Sequence, residues 1–125
     1  MVQKKNILLI EDEQDLLTLY ELALSKAGYK VYTSANGFEG ISKAIEKNID
    51  LILLDLMMPL GDGRDVLSTL RLNPKTKEVP VIIISNLNRD TIDLSQVDDQ
   101  VIDYWVKADI SPKILVERLN HYFSA

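Results

Sequence analysis

The chain has 125 residues, enough for one domain with a sizeable core, and its 46% apolar and 26% charged composition is typical of a soluble globular protein. Its 14 basic and 19 acidic residues give a net charge of −5, which provides no electrostatic reason for direct binding to nucleic acid or to an anionic membrane. The lack of cysteine excludes disulfides and thiol chemistry, and the single histidine, His121, argues against a zinc site. The first apolar run is too short for a signal peptide or a membrane span, so we expect a cytoplasmic protein.

Five short runs predict β-strands. The run Leu51 to Leu54 contains no polar residue, which is typical of a strand that is buried on both faces of a parallel sheet. The run at 30–33 is weaker and lies between turns at Gly28 and at Asn36-Gly37. The predicted strands are residues 7–10, 30–33, 51–54, 81–84 and 101–106.

Stretches with helical spacing lie between and after the strands. Gly28 is placed to end the first helix, and Ser111-Pro112 to open the last one. The high density of Asp and Asn between Leu87 and Gln100 predicts a short or loosely held helix there. The apolar positions of the other four helices are Leu16, Leu19, Tyr20, Ala23, Leu24 and Ala27; Phe38, Ile41, Ala44 and Ile45; Val66, Leu67 and Leu70; and Ile114, Leu115, Leu119 and Tyr122. The alternation predicts an α/β three-layer sandwich with a parallel sheet and five helices.

Polar side chains stand where the predicted strands end. Glu11-Asp12 follows the first strand, Asp55 the third, Ser85-Asn86 the fourth and Lys107 the fifth. In open parallel sheets ligands bind outside the carboxyl ends of the strands, so these residues are candidates for one shared site.

The predicted cluster of three acids, a hydroxyl group and a lysine suggests phosphoryl chemistry. Crowded carboxylates repel one another unless a cation lies among them, and an all-oxygen ligand set with few members favours Mg²⁺. A lysine and a hydroxyl group suit the oxygens of an incoming phosphoryl group, and Asp55 is the candidate nucleophile, since a carboxylate can form an acyl phosphate.

The whole chain, 1–125, resembles the receiver domain of two-component response regulators. The stretch from Asp55 to Gly63 is very similar to the loop that follows the phosphorylated aspartate in that family. The positions that carry the resemblance are Glu11 and Asp12 (the acidic pair), Asp55 (the phosphoacceptor), Ser85 (the hydroxyl residue), Lys107 (the phosphate-contacting lysine) and Tyr104 (the switch aromatic residue).

The resemblance implies a flavodoxin-like sheet of order 2-1-3-4-5 and a signalling protein rather than an enzyme. A histidine kinase or histidine phosphotransferase would phosphorylate Asp55. Mg²⁺ would be held by Asp12, Asp55 and the Met57 carbonyl group, with Glu11 acting through water. Ser85 and Tyr104 would then change the affinity for an output protein or domain, and the chain would be a monomer or a phosphorylation-dependent dimer.

Several positions depart from the family pattern. Ala108 replaces a usual proline, which leaves open whether the Lys107-Ala108 peptide is cis or trans. Asn86 stands where a small residue is usual, and could narrow access to Asp55 or bind the phosphoryl group. Gln100-Val101 replaces a usual Gly-Ala. Met57 and Leu87 are apolar and cannot orient an attacking water, which predicts slow autodephosphorylation.

Three other functions compete with a signalling receiver. A Mg²⁺-dependent phosphohydrolase or phosphotransferase usually has a second acid soon after the nucleophile and a cap for substrate, whereas Asp55 precedes Leu56-Met57. A flavodoxin-like cofactor binder would have a glycine-rich phosphate loop after the first strand, and none follows it. A pseudo-receiver, acting as an interaction module without phosphorylation, is the most serious alternative.

Overall fold

The computed structural model describes residues 4–58, 63–86 and 101–124. Five strands and four α-helices lie in these ranges. The strands are β1 (Asn6–Ile10), β2 (Lys30–Ser34), β3 (Leu51–Leu54), β4 (Val81–Ser85) and β5 (Val101–Val106). The helices are α1 (Gln14–Lys26), α2 (Gly37–Glu46), α3 (Gly63–Leu72) and α4 (Pro112–Ser124). The helix predicted between Leu87 and Gln100 lies outside the described residues.

The strands form one parallel sheet in the order β2-β1-β3-β4-β5. This confirms the flavodoxin-like order and the parallel α/β class predicted from the sequence. The chain moves from β1 outward to β2, and then crosses back to β3 on the other side of β1. The carboxyl ends of β1 and β3, neighbours at this reversal, are where a doubly wound sheet offers a binding crevice.

Apolar side chains bury both faces of the sheet. One core packs the sheet against α1 and α4, and includes Leu53 and Ile82; the other packs it against α2 and α3, and includes Leu54 and Ile83. Every residue of β3 is buried, as its unbroken apolar run predicts. The sheet therefore has a covered face on each side and presents its polar chemistry at the strand ends.

The predicted helix faces are correct in part. Val66, Leu67 and Leu70 of α3 are buried. Leu19, Phe38 and Tyr122, which helical spacing assigned to apolar faces, are instead exposed. Spacing identifies a stripe of apolar residues, but the width of the neighbouring element decides how much of that stripe is covered.

The predicted helix ends agree with the structure. Gly28, with φ of 101°, takes the left-handed conformation that glycine adopts without strain after a helix. Ser111 precedes α4, and its hydroxyl group accepts a hydrogen bond from the Ile114 N–H at 3.2 Å. Within the described ranges, no helix is long and apolar enough to cross a membrane.

Candidate functional site

The sheet ladder fixes two acidic residues at the carboxyl ends of its central strands. The Glu11 N–H donates to the Ser34 carbonyl oxygen at 3.0 Å, and the Asp55 N–H donates to the Ile10 carbonyl oxygen at 3.0 Å. Each acid is therefore the first residue past a strand whose backbone is still held by the neighbouring strand. Glu11 is 5% exposed and Asp55 4% exposed, so both side chains lie inside the protein.

A third acid joins them from the connection between β1 and α1. Glu11, Asp12 and Asp55 each offer a carboxylate oxygen within 4.8 Å of the others. Asp12 is exposed, whereas the other two are buried. The structure thus brings together the three acids that the sequence placed at strand ends, and Asp12 faces the solvent side of the cluster.

Lys107 reaches the same cluster from the end of β5. Its Nζ lies 2.8 Å from Oδ2 of Asp55 and 2.5 Å from Oε1 of Glu11. Oε2 of the exposed Glu13 lies further away, at 3.9 Å. The lysine side chain is only 13% exposed. Its interaction with the two buried carboxyl groups is therefore largely shielded from water.

This arrangement raises the pKa of both Glu11 and Lys107. Burial raises the pKa of Glu11 to about 8, and the Asp55 carboxylate adds to the rise while Lys107 opposes it. Burial lowers the pKa of Lys107, but its contacts with Asp55 and Glu11 outweigh this effect and raise the pKa above its ordinary value. The lysine therefore stays charged, and one ammonium group faces two buried carboxyl groups.

The chain turns sharply after Asp55. The Met57 N–H donates to Oδ1 of Asp55 at 3.0 Å, and the Gly63 N–H donates to the Leu56 carbonyl oxygen at 3.2 Å. Leu56 and Met58 are buried, whereas the Met57 side chain is 54% exposed. Residues 59–62 of the predicted loop lie outside the described ranges.

Ser85 and Asn86 lie at the carboxyl end of β4. Ser85 is the last residue of the strand and is fully buried, whereas Asn86 is exposed. The peptide bond between Lys107 and Ala108 is trans, which answers the question that the sequence left open. The Ala108 N–H donates to Oδ1 of Asn86 at 3.0 Å, a contact that the sequence did not predict.

The aromatic residues of β5 are both buried. Tyr104 is 5% exposed and packs in the core that faces α2 and α3. The Trp105 indole N–H donates to Oδ2 of Asp103 at 2.8 Å, and the Arg118 guanidinium group lies 5.2 Å from the centre of the Trp105 ring. Trp105 is therefore a packing residue, and His121 on α4 is exposed. Leu87 and Gln100, two of the positions that depart from the family pattern, are outside the described residues.

The fold and the site together define a class of protein. It is a doubly wound α/β domain with an acidic cluster and a lysine at its topological switch point. A model of the response regulator receiver domain family matches residues 7–120. The transcriptional regulatory protein AfsQ1 of Streptomyces coelicolor is 35% identical over 115 residues, which cover 92% of this chain and 49% of that protein.

The architecture is shared with solved structures, among them the following two. The receiver domain of the Pseudomonas aeruginosa sensor histidine kinase PA1611 superposes with a TM-score of 0.82 at 26% identity, covering 98% of this chain and 100% of that one. It contains a magnesium ion coordinated in its active-site cleft. The phosphorylated cyanobacterial phytochrome response regulator RcpA gives a TM-score of 0.78 at 28% identity, covering 98% of this chain and 96% of that one.

The chain belongs to the response regulator receiver domain family of two-component systems. Members of this family are signalling domains and generally not enzymes in the ordinary sense. The chain spans about half the length of the regulators to which it was matched by sequence, such as AfsQ1.

Proposed function

We propose that this domain accepts a phosphoryl group on Asp55 and uses it to change the affinity of its surface for an output partner. The observation that carries the proposal is the surroundings of Asp55. This buried carboxylate has a lysine ammonium group 2.8 Å from one oxygen and two further acids close by. A structural aspartate at a strand end would need neither the additional acids nor the buried cation.

The residues around Asp55 fit a divalent cation. Three carboxylates supply hard oxygen ligands, and Oε2 of Glu11 is buried without a hydrogen-bond donor among the described residues. Asp12, Asp55 and the Met57 carbonyl group would hold Mg²⁺, with Glu11 contributing through water. When bound, Mg²⁺ neutralises part of the charge on the phosphoryl oxygens. The magnesium ion in the related PA1611 domain supports this assignment.

The reaction that fits the site transfers a phosphoryl group from phosphohistidine of a partner protein. An Asp55 carboxylate oxygen attacks phosphorus, a P–O bond forms and the P–N bond breaks. The electron pair of the broken bond returns to the imidazole ring, which takes up a proton. Lys107 and Ser85 would contact the phosphoryl oxygens, since an ammonium group and a hydroxyl group both donate to them. The phosphorylated state of the related RcpA regulator supports this chemistry.

The signal would pass from Ser85 to Tyr104. Ser85 ends β4, and Tyr104 lies on the neighbouring strand β5, buried in the core that faces α2 and α3. A shift of Ser85 towards a phosphoryl group would change the space available to Tyr104, and the surface of β5 and α4 would change with it. The partners would be a histidine kinase or histidine phosphotransferase on one side and an output protein or domain on the other.

Intact-mass measurement tests the phosphorylation directly. The purified chain is incubated with Mg²⁺ and a small acyl phosphate or phosphoramidate donor, and we expect a single phosphoryl adduct. Asp55→Asn should abolish the adduct. Asp50→Asn is the matched control, because Asp50 is an exposed aspartate immediately before β3, the strand that Asp55 follows.

The result also separates this function from the alternatives. Absence of an adduct on the wild type, with Mg²⁺ binding confirmed, would favour a pseudo-receiver that works without phosphorylation. Repeated turnover of a small phosphomonoester would instead indicate a phosphohydrolase, since a receiver gives at most a stoichiometric phosphoprotein.

A further inference from the structure

A side-chain hydrogen bond joins the residue after β4 to the turn after β5. Ser85 and Val106, the last residues of these two strands, are register partners. Asn86 therefore stands beside Lys107, and its Oδ1 reaches one residue further to accept the Ala108 N–H at 3.0 Å. The bond spans the two strand ends that carry Ser85 and Lys107.

The Ala108 N–H belongs to a turn that cannot satisfy it internally. Lys107–Asp109 forms one turn of 3₁₀ helix, closed by the Ile110 N–H donating to the Lys107 carbonyl oxygen at 3.1 Å. The first N–H groups of a helical turn have no acceptor within it. Asn86, the residue that follows β4, supplies the acceptor and so fixes the start of the turn.

Lys107 consequently has a fixed backbone neighbour on each side. Val106 is held by its pairing with β4, and Ala108 is held by Asn86. A lysine side chain is long and flexible, and it places its charge accurately only when its backbone is fixed. Here the Nζ lies 2.8 Å from Oδ2 of Asp55.

We propose that Asn86 is a positioning residue for phosphotransfer: through the Ala108 N–H it fixes the turn that carries Lys107 and so holds the ammonium group at Asp55. The inference rests on the proposed role of Asp55 as phosphoacceptor. A side chain that only narrowed access to Asp55 would have the opposite effect, because its removal would speed phosphorylation.

The first test compares Asn86→Ala with the wild type. We expect faster hydrogen exchange at the Ala108 amide and an altered Lys107 side-chain NMR signal in the metal-free protein. With acetyl phosphate and saturating Mg²⁺, we expect phosphorylation slower by about three- to tenfold, the range that one net hydrogen bond supplies. Asn86→Asp keeps an acceptor oxygen at the same place and should restore slow hydrogen exchange at the Ala108 amide.

Two further variants identify the route of the effect. Ala108→Pro removes the N–H, so adding Asn86→Ala in that background should slow phosphorylation no further. Asn73→Ala is the matched control, because Oδ1 of Asn73 accepts the Lys75 N–H at 2.9 Å in the loop after α3, away from Asp55. It should leave the phosphorylation rate unchanged.

Several results would overturn the positioning role of Asn86. Unchanged or faster phosphorylation of Asn86→Ala overturns the positioning role, as does an unchanged exchange rate at Ala108. An equal loss of rate in Asn73→Ala and Asn86→Ala would show a general effect of destabilisation and also overturns it. If the wild type takes up no phosphoryl group, the proposed function fails, and the positioning role fails with it. Should Ala108→Pro not fold, the exchange data and the Asn86→Asp variant still decide.

Discussion

Glu11 is the residue whose protonation should leave the clearest trace in the stability of the protein. Burial raises its pKa to about 8 in the folded state, from an ordinary value of 4.5. As the pH rises above 4.5, the unfolded chain loses this proton while the folded protein keeps it. The contribution of Glu11 to the free energy of unfolding is therefore greatest at low pH and declines towards pH 8.

Glu11→Gln isolates this contribution, because glutamine has the shape of the protonated acid and does not titrate. Chemical denaturation in the presence of a chelator should show the wild type losing stability relative to Glu11→Gln between pH 4.5 and 8. Parallel pH profiles for the two proteins would show that Glu11 ionises normally in the folded state.

The sequence predicted which polar residues would come together at the site, but not which of them would be buried or how they would be hydrogen-bonded. The polar residues at strand ends follow from the parallel topology alone, and Glu11, Asp12, Asp55 and Lys107 indeed come together. The burial of Glu11 and the exposure of Asp12 could not be read from two adjacent acids. The bond between Asn86 and Ala108 depends on the register of β4 with β5, which no local sequence pattern encodes.

The entry into α3 packs directly against the chain that follows Asp55. A Cβ atom at Gly63 would lie 2.6 Å from the Leu56 Cα and 2.8 Å from the Asp55 carbonyl oxygen, and both are backbone atoms. Gly63→Ala therefore forces a shift of the chain that follows Asp55. We expect it to lower the free energy of unfolding by about 1–3 kcal/mol and to weaken Mg²⁺ binding measured by calorimetry.

Gly40→Ala is the control within α2. The three atoms nearest to its Cβ would all belong to the Ile10 side chain, with Cδ1 at 2.6 Å and Cγ1 at 2.9 Å, so a side chain rather than the backbone must shift. The better helix propensity of alanine, worth about 1 kcal/mol, offsets part of the crowding. Equal losses of stability and of Mg²⁺ affinity in the two variants would show that Gly63 has no special connection to the site.

The boundaries of the elements were easier to predict than their exposed faces. Unbroken apolar runs place the strands almost to the residue, because a central parallel strand must be apolar on both faces. The helices have only one buried stripe, and Leu19, Phe38 and Tyr122 lie at its margins or beyond it. Tertiary packing decides whether residues at those margins are covered, and the helical spacing of apolar residues gives no information about that packing.

The residues that the structure describes form two cores separated by the thickness of one sheet. Neighbouring residues of β4 point into different cores: Ile82 into the one that faces α1 and α4, and Ile83 into the one that faces α2 and α3. Ile82→Val and Ile83→Val should each lower the free energy of unfolding by about 0.5–1.5 kcal/mol.

Because the two side chains share no core, these losses should add in the double variant to within about 0.5 kcal/mol. Urea denaturation of the four proteins measures this directly. A clear departure from additivity would indicate that strain passes through the sheet from one core to the other, and it would make the sheet itself a route for a signal.

The position of Trp105 gives the domain an internal optical probe. The sequence has a single tryptophan, so all indole fluorescence comes from this position, two residues before Lys107 in the chain. The ring is buried between a carboxylate that binds its N–H group and a guanidinium group above its face, and the emission of an indole responds to charges so placed. Structural changes at the end of β5 should therefore alter the intrinsic fluorescence of Trp105, which can be recorded in real time without an added dye or label.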